Sequence, residues 1–346
     1  MQISRFLRTQ MTNDYKLVMV AILHRHGDRA PILEHLYPGS VNKSNDFYPV
    51  GESNLTNVGK SQLYEVGKKL RKRYDSFLGP YFIGNEVKII TSTLERTQMS
   101  VLALCAGLFP PRDQQVWNKD LMWQPVVYTE VKKENDCIIR GPSDIYPEYK
   151  NLYNKELKSN FNMNLLKRYS QELDFIRKHA GYQKPSIRDA YYLYQSLMGE
   201  QSMGLSLPNW AKDIFPDKLE EMAVYEYDLS TLTIPLRQYA GGGLAKVITD
   251  LFTTKISNKT KQKCLIISGH ESTIGYQLRL LDINDRMVPR FGSQLIWELH
   301  QKDSNYLVKI FYENFYESEP VECLSMPYEE FMNKMNPFFP SWKIII

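Results

Sequence analysis

The sequence predicts an α/β fold in which a mostly parallel sheet flanked by helices is interrupted, in chain order, by an inserted α-helical cap. Three observations carry that expectation. Apolar runs of strand length alternate with amphipathic helical segments over the first third of the 346 residues. From about residue 116 the strand pattern fades and helix-type spacing takes over, and strand–helix alternation then returns toward the carboxyl end. At roughly 150 residues per domain the length fits two domains, or one with a large insertion. We therefore place a discontinuous α/β domain at 1–115 and 250–346 and a helical cap at 116–249.

Each element follows from its pattern. Residues 17–23 (LVMVAIL) form a continuous apolar run of strand length, expected to be buried on both faces. Residues 56–74 read as an amphipathic helix, with Val58, Leu63, Val66 and Leu70 along one side and Lys60, Lys68, Lys69 and Lys72 opposite. A second strand at 87–90 and a second helix at 97–108 follow, the latter stopped by Pro110. In the cap, 164–179 and 187–203 carry helical spacing with many Tyr and Met residues, read mostly as core filling. Then come a buried strand at 264–268 (CLIIS), a helix at 273–281, and a hairpin of 294–300 and 306–312 joined by QKDSN. Gly241-Gly242-Gly243 lacks the GK[ST] ending of a phosphate-cradling loop and reads as a flexible approach to a helix.

Composition narrows the function classes. With 43% apolar and 24% charged residues the chain is an ordinary globular one, and 43 basic against 39 acidic residues give a net charge of +4 without long blocks of one sign. That balance offers no argument for a nucleic-acid partner. The longest apolar run, 101–109, is far short of the roughly 20 residues of a membrane span, so none is expected. Residues 1–16 lack the apolar stretch of about 7 to 15 residues that marks a secretory signal. Four cysteines make no disulfide framework, and Cys105 and Cys264 lie in apolar runs where a reduced, buried thiol is expected.

The chemistry sits where three apolar strands end. The first runs into His24-Arg25-His26-Gly27-Asp28-Arg29, the second into Thr91-Ser92-Thr93-Leu94-Glu95-Arg96, and the third into Gly269-His270-Glu271. In an open α/β sheet the ligand crevice lies beyond the carboxyl ends of the strands, so these distant segments can converge. Arginine forks match phosphate oxygens and stay charged, a neutral imidazole can attack phosphorus, and a carboxylic acid can protonate a leaving alcohol oxygen. The set suits phosphoryl transfer, with Gly27 letting backbone approach the ligand. Asp28, between Arg25 and Arg29, reads as their ion-pair partner. His24 and His26 lack a surrounding Cys or Asp/Glu ligand set, so no metal and no cofactor is expected. His24 reads as packed near the site, Trp210 as facing the leaving group, and His35, His179 and His300 as non-catalytic.

Arg25-His26-Gly27-Asp28-Arg29-Ala30-Pro31 resembles the RHGxRxP signature of the histidine acid phosphatases, branch 2 of the histidine phosphatase superfamily. Leu94-Glu95-Arg96-Thr97, Phe109-Pro110-Pro111, Trp123-Gln124-Pro125 and Leu207-Pro208-Asn209-Trp210 follow in the order seen in prostatic and lysosomal members. Asp46-Phe47-Tyr48-Pro49, Ile214-Phe215-Pro216 and Ser268-Gly269-His270-Glu271-Ser272 resemble insect venom-type members most. The resemblance implies a phosphoglycerate-mutase-like core and an acid phosphatase that hydrolyses phosphate monoesters. It implies that His26 is the nucleophile of a phosphohistidine intermediate, that Arg25, Arg29 and Arg96 form a phosphate clamp, that His270 contacts the phosphate, and that Glu271 is the proton donor. Substrates would be small phosphate monoesters and phosphoproteins, and the family suggests a homodimer.

The chain also departs from that pattern. Glu271 stands where most relatives carry Asp, and His24 where an apolar residue is usual. Ile145-Tyr146-Pro147 and Ser325-Met326-Pro327 replace the Cys-Pro pairs that bridge secreted relatives, so those disulfides are not expected. Two alternatives stay open: a phosphoglycerate-mutase-like enzyme, against which Asp28, Arg29 and Pro31 speak, and a catalytically impaired pseudophosphatase acting as a binding protein, hinted at by Glu271. Location is open as well. Family resemblance and sequons at Asn42, Asn54 and Asn258 fit a secreted or lysosomal protein, while the missing signal pattern fits a cytoplasmic one.

Overall fold

The computed structural model describes residues 14–314 and 318–344. Most of the amino-terminal segment read above for a signal therefore lies outside the described residues. The centre of the fold is β1 (Lys16–Arg25), which is buried from Met19 onward. It pairs in parallel with β4 (Cys264–Gly269) on one side and antiparallel with β5 (Gln294–Lys302) on the other. The sheet has seven strands in the order β3-β2-β4-β1-β5-β6-β7. Its parallel half is completed by β2 (Val87–Ser92) and β3 (Thr129–Val131), its antiparallel half by β6 (Asn305–Glu313) and β7 (Val321–Pro327).

Alternation along β1 explains its continuous apolar run. Val20 and Ile22 pack with α1 (Asn57–Leu78) and α2 (Glu95–Leu108) on one face, through Leu63, Val66, Val101 and Leu104. Met19, Ala21 and Leu23 pack on the other with α9 (Gly243–Ile256), α10 (Glu271–Leu280) and α11 (Tyr328–Met335). A strand sandwiched this way has no polar side to show. A second core gathers the helices of the insertion: α3 (Pro147–Glu156), α4 (Asn160–Arg168), α5 (Ser170–Ala180), α6 (Ile187–Ser202), α7 (Asp217–Ser230) and α8 (Ile234–Arg237).

Several elements differ from the reading of the sequence, each for a local reason. The stretch beginning at 116 contributes β3, whose three residues are too few to show a strand pattern. β7 was missed because it is an edge strand with partly exposed residues along its whole length. The single helix expected at 164–179 is two: the chain bends at Tyr169 (φ −101°, ψ 24°) between α4 and α5. Val58 is 56% exposed rather than facing the sheet, because it sits in the first turn of α1. Gly241–243 is no flexible loop. The first two close a π-turn (Gln238–Gly242) that runs directly into α9, and a Cβ on Gly242 would collide with the Phe338 carbonyl. All four cysteines are free thiols, Cys105, Cys137 and Cys264 being buried. Of the sequons, Asn42 donates its amide to Glu200 (2.9 Å), while Asn258 is exposed just beyond α9.

Candidate active site

Parallel pairing sets the level at which the three loops leave the sheet. His24 and Thr91 both register with Ser268, and Arg25 with Gly269. Beyond that line the chain enters the loop after β1, the first turn of α2 with Arg96, and the start of α10, where His270 is the N-cap and Glu271 the first helical residue. There, His26, Arg29, Arg96, His270 and Glu271 line a cavity of about 370 Å³. The sixth expected residue, Arg25, lies behind it and is not part of the lining.

His26 is 1% exposed, and its Nδ1 lies 2.8 Å from the Gly27 carbonyl. A carbonyl only accepts, so Nδ1 carries the proton and Nε2 keeps the lone pair. Burial holds the ring well below its ordinary pKa, and the charges of Arg96, Arg25 and Arg29 and the neighbouring His270 push the same way. The loop is fixed on all sides: His26 N–H donates to Gly269 (3.0 Å), Gly27 N–H to Ser100 Oγ (3.1 Å) and Asp28 N–H to Gln62 (2.9 Å). Two expectations change here. Gly27 does not make room for a ligand; a Cβ there would strike the Gly59 carbonyl of α1 and come within 2.7 Å of Leu63 Cδ2. Among the described residues Asp28 forms no ion pair with an arginine, because the loop turns its carboxylate back to accept from Thr56 Oγ1 (2.6 Å), the cap of α1.

The arginines divide into two kinds. Arg29 and Arg96 line the cavity; in both, as in Arg25, the Nε is buried without a hydrogen-bond partner among the described residues, while Arg29 Nη1 donates to the Ala30 carbonyl (2.8 Å). Burial, reinforced by their mutual repulsion in the case of Arg96, brings them down to about 10 and about 9, so both remain cations across acidic and neutral pH. Arg25 instead donates to the Pro289 carbonyl (2.6 Å) and Gln195 (3.3 Å), with its guanidinium 4.0 Å over the Phe291 ring. Its Nε stands 3.5 Å from Glu271 Oε2.

His270 lies edge-on to His26, ring centroids 5.5 Å apart, with a buried, unpartnered Nε2. Its backbone N–H donates to Thr273 Oγ1 (3.1 Å), which in turn donates to the Ile139 carbonyl (2.6 Å). Glu271 Oε1 accepts a hydrogen bond from the Tyr191 hydroxyl at 2.5 Å. Burial raises the Glu271 pKa, but Arg25, His270, Tyr191 and Arg29 outweigh it and hold the group at about 2, an anion in the free protein.

The remaining histidines separate cleanly. His24 is wholly buried in β1 with Nδ1 3.1 Å from the Arg25 carbonyl. His179 stacks near Trp210, and His300 binds Glu298 (2.7 Å). Trp210 itself packs against Tyr37 and Phe175 in the cap core and does not line the cavity, so it faces no leaving group. His35, by contrast, does line it, its ring 4.5 Å from that of Tyr192. The sequence reading also missed Arg188, Tyr191, Tyr192 and Gln195, which present one stripe of α6 to the cavity. Their i, i+3, i+4, i+7 spacing was the available signal, polar on a face otherwise read as core.

The chain is similar to known proteins over most of its length. The sequence pattern of the histidine phosphatase superfamily (branch 2) matches residues 16–313. A venom acid phosphatase of Apis mellifera is 34% identical over 305 residues, covering 86% of this chain and 77% of the relative. A prostatic acid phosphatase of Rattus norvegicus is 28% identical over 339 residues, covering 94% and 87%. Among solved structures, the phytase of Klebsiella sp ASR1 superposes with a TM-score of 0.71 at 13% identity, over 96% of this chain and all of that one.

Proposed function

This chain belongs to the histidine phosphatase superfamily, branch 2, and from that premise we propose how it carries out its reaction. It is an acid phosphatase that hydrolyses phosphate monoesters, the activity for which relatives at 28–34% identity over most of the chain are named. Neither a mutase nor a binding protein without activity is favoured by these relatives. In our reading the bound phosphate offsets the arginine charges that keep Glu271 ionised in the free protein, so that Glu271 takes up a proton; His26 Nε2 then attacks phosphorus while the ester P–O bond breaks, Glu271 gives that proton to the leaving oxygen, and a phosphohistidine results. Water then attacks phosphorus, the N–P bond breaks, and Glu271 takes the water's proton. Arg29, Arg96 and His270 hold the phosphoryl oxygens, and Arg25 adds charge from behind. The single observation that carries this is the His26 ring, tied at Nδ1 to Gly27 and kept neutral beside cavity arginines whose buried Nε donors have no hydrogen-bond partner among the described residues.

His26→Ala is expected to lower kcat on p-nitrophenyl phosphate by several orders of magnitude, and alkaline quenching with radiolabelled substrate to trap acid-labile phosphate on the wild type alone. Turnover at the wild-type rate in the variant would overturn the phosphohistidine route. The reading extends to phosphoproteins as substrates and to a homodimer.

A further inference from the structure

We propose that Tyr191, on the cap helix α6, is a positioning residue for Glu271: its phenol holds Oε1 and so fixes the carboxyl that gives its proton to the leaving oxygen. The inference rests on Glu271 being the acid. A glutamate has one more rotatable bond than an aspartate, and at the first turn of a helix bordering a cavity its carboxyl would otherwise sample several positions. The 2.5 Å bond from Tyr191 removes that freedom. The phenol is itself held in the cap, its ring packed at 5.4 Å from that of Tyr192 and edge-on to Tyr227 at 6.0 Å. A side chain of the insertion thereby aims the acid supplied by the sheet domain.

Tyr191, pushed well above 10 by burial and by Glu271, is always the donor in this bond. Oε2 faces Arg25 Nε at 3.5 Å, so the phenol holds one oxygen of the carboxyl while the arginine charge attracts the other. In the first half-reaction the carboxyl O–H bond breaks as the leaving oxygen gains the proton; in the second, the carboxylate takes one from water.

The phenol also favours the carboxylate over the acid. Arg25 and Arg29 from β1 and its loop, Arg96 from α2 and His270 on the adjoining turn face the same group, with Tyr227 from α7 and His35 from the loop after β1. Removing the Tyr191 hydroxyl leaves all of these in place. Tyr191→Phe should therefore raise the pKa of Glu271 in the substrate complex and carry the base limb of kcat about one pH unit higher. Mispositioning should at the same time cut kcat for an alkyl ester such as glycerol phosphate about tenfold more than for p-nitrophenyl phosphate, whose leaving group needs little proton donation.

The test is a cycle of Tyr191→Phe, Glu271→Gln and the double variant, each assayed from pH 4 to 8 on both substrates. Expected are a lowered alkyl-to-aryl ratio and a shifted base limb in Tyr191→Phe, and no further loss when Tyr191→Phe is added to Glu271→Gln. Equal slowing of both substrates with an unmoved limb, or full additivity in the double variant, overturns the role of Tyr191. Equal slowing of both substrates by Glu271→Gln alone fails the prior reading of Glu271 as the acid, whatever Tyr191 does.

Discussion

Arg29 and Arg96 present the plainest case for what one side chain does, because each brings a buried Nε donor to the cavity wall with no acceptor for it among the described residues. A donor arranged in advance costs no reorganisation when charge develops on the phosphoryl oxygens. Arg96→Ala is expected to lower kcat about a hundredfold, and Arg96→Lys to recover part of it, since charge returns without the fork. A change confined to KM would make Arg96 a binder of the ground state. These arginines were legible in the sequence because each follows a strand end closely, as do His26, His270 and Glu271. The stripe on α6 was not, since a helix facing a cavity and a helix facing a core share one spacing, and Tyr191 serves both sides. Asp28 misled for a related reason: adjacency to arginines along the chain says nothing of where a tight loop turns the carboxylate.

At the scale of elements, strands buried on both faces announced themselves and edge strands did not. β1 and β4 carry uninterrupted apolar runs and β2 one broken only by Lys88, between two helical layers, whereas β3 and β7 close the sheet at its two margins with exposed positions. The helices α1 and α2 meet so closely that a Cβ on Gly67 would strike the Leu104 carbonyl, and one on Gly107 the Tyr64 carbonyl. That contact keeps the start of α2, with Arg96, beside the loop that α1 supports. β3 has a consequence of its own. Its outer edge lacks a strand partner among the described residues, and Val127, two residues before it, is 84% exposed, with Trp117 and Met122 also exposed in the preceding segment. Exposed apolar surface beside an unpaired edge fits association of two copies. Sedimentation at micromolar concentration is expected to show a dimer for the wild type and a monomer for Val127→Asp; a wild-type monomer would remove the homodimer.

For the whole molecule, burial of neutral histidines ties stability to pH. His24, His26, His35 and His270 all have lowered pKa values, burial being the largest cause in each, and His24 falls to about 4. A depressed histidine binds no proton in the folded state where the unfolded chain already does. Its contribution is therefore complete above the ordinary value of 6.5 and is lost as pH falls toward the folded value. For His24, wholly buried, that is worth about 3 kcal/mol between pH 6.5 and 4. Glu313 acts in the opposite sense: raised by burial to about 7, it favours the fold as pH drops from 7 toward 4.5, offsetting part of the histidine loss. Glu271, held at about 2, loses its contribution only below the ordinary carboxyl range. Burial raises Glu200 and Asp136 as well, so four depressed histidines stand against three raised carboxyls, and Tm in the absence of ligand should fall as pH is lowered from 7 to 4.5, even though activity on alkyl esters is expected to peak below neutrality. Inorganic phosphate, by binding the arginine-lined cavity in the folded state alone, should raise Tm at each pH, by about 3 kcal/mol of stability at a hundred times its Kd. His24→Val, which puts an apolar residue into an already apolar strand and lines no part of the cavity, is the sharpest check. It should raise Tm at pH 4.5 more than at pH 7 and so flatten the profile; a wild-type Tm that does not change between those two pH values would show that the buried histidines do not govern acid stability.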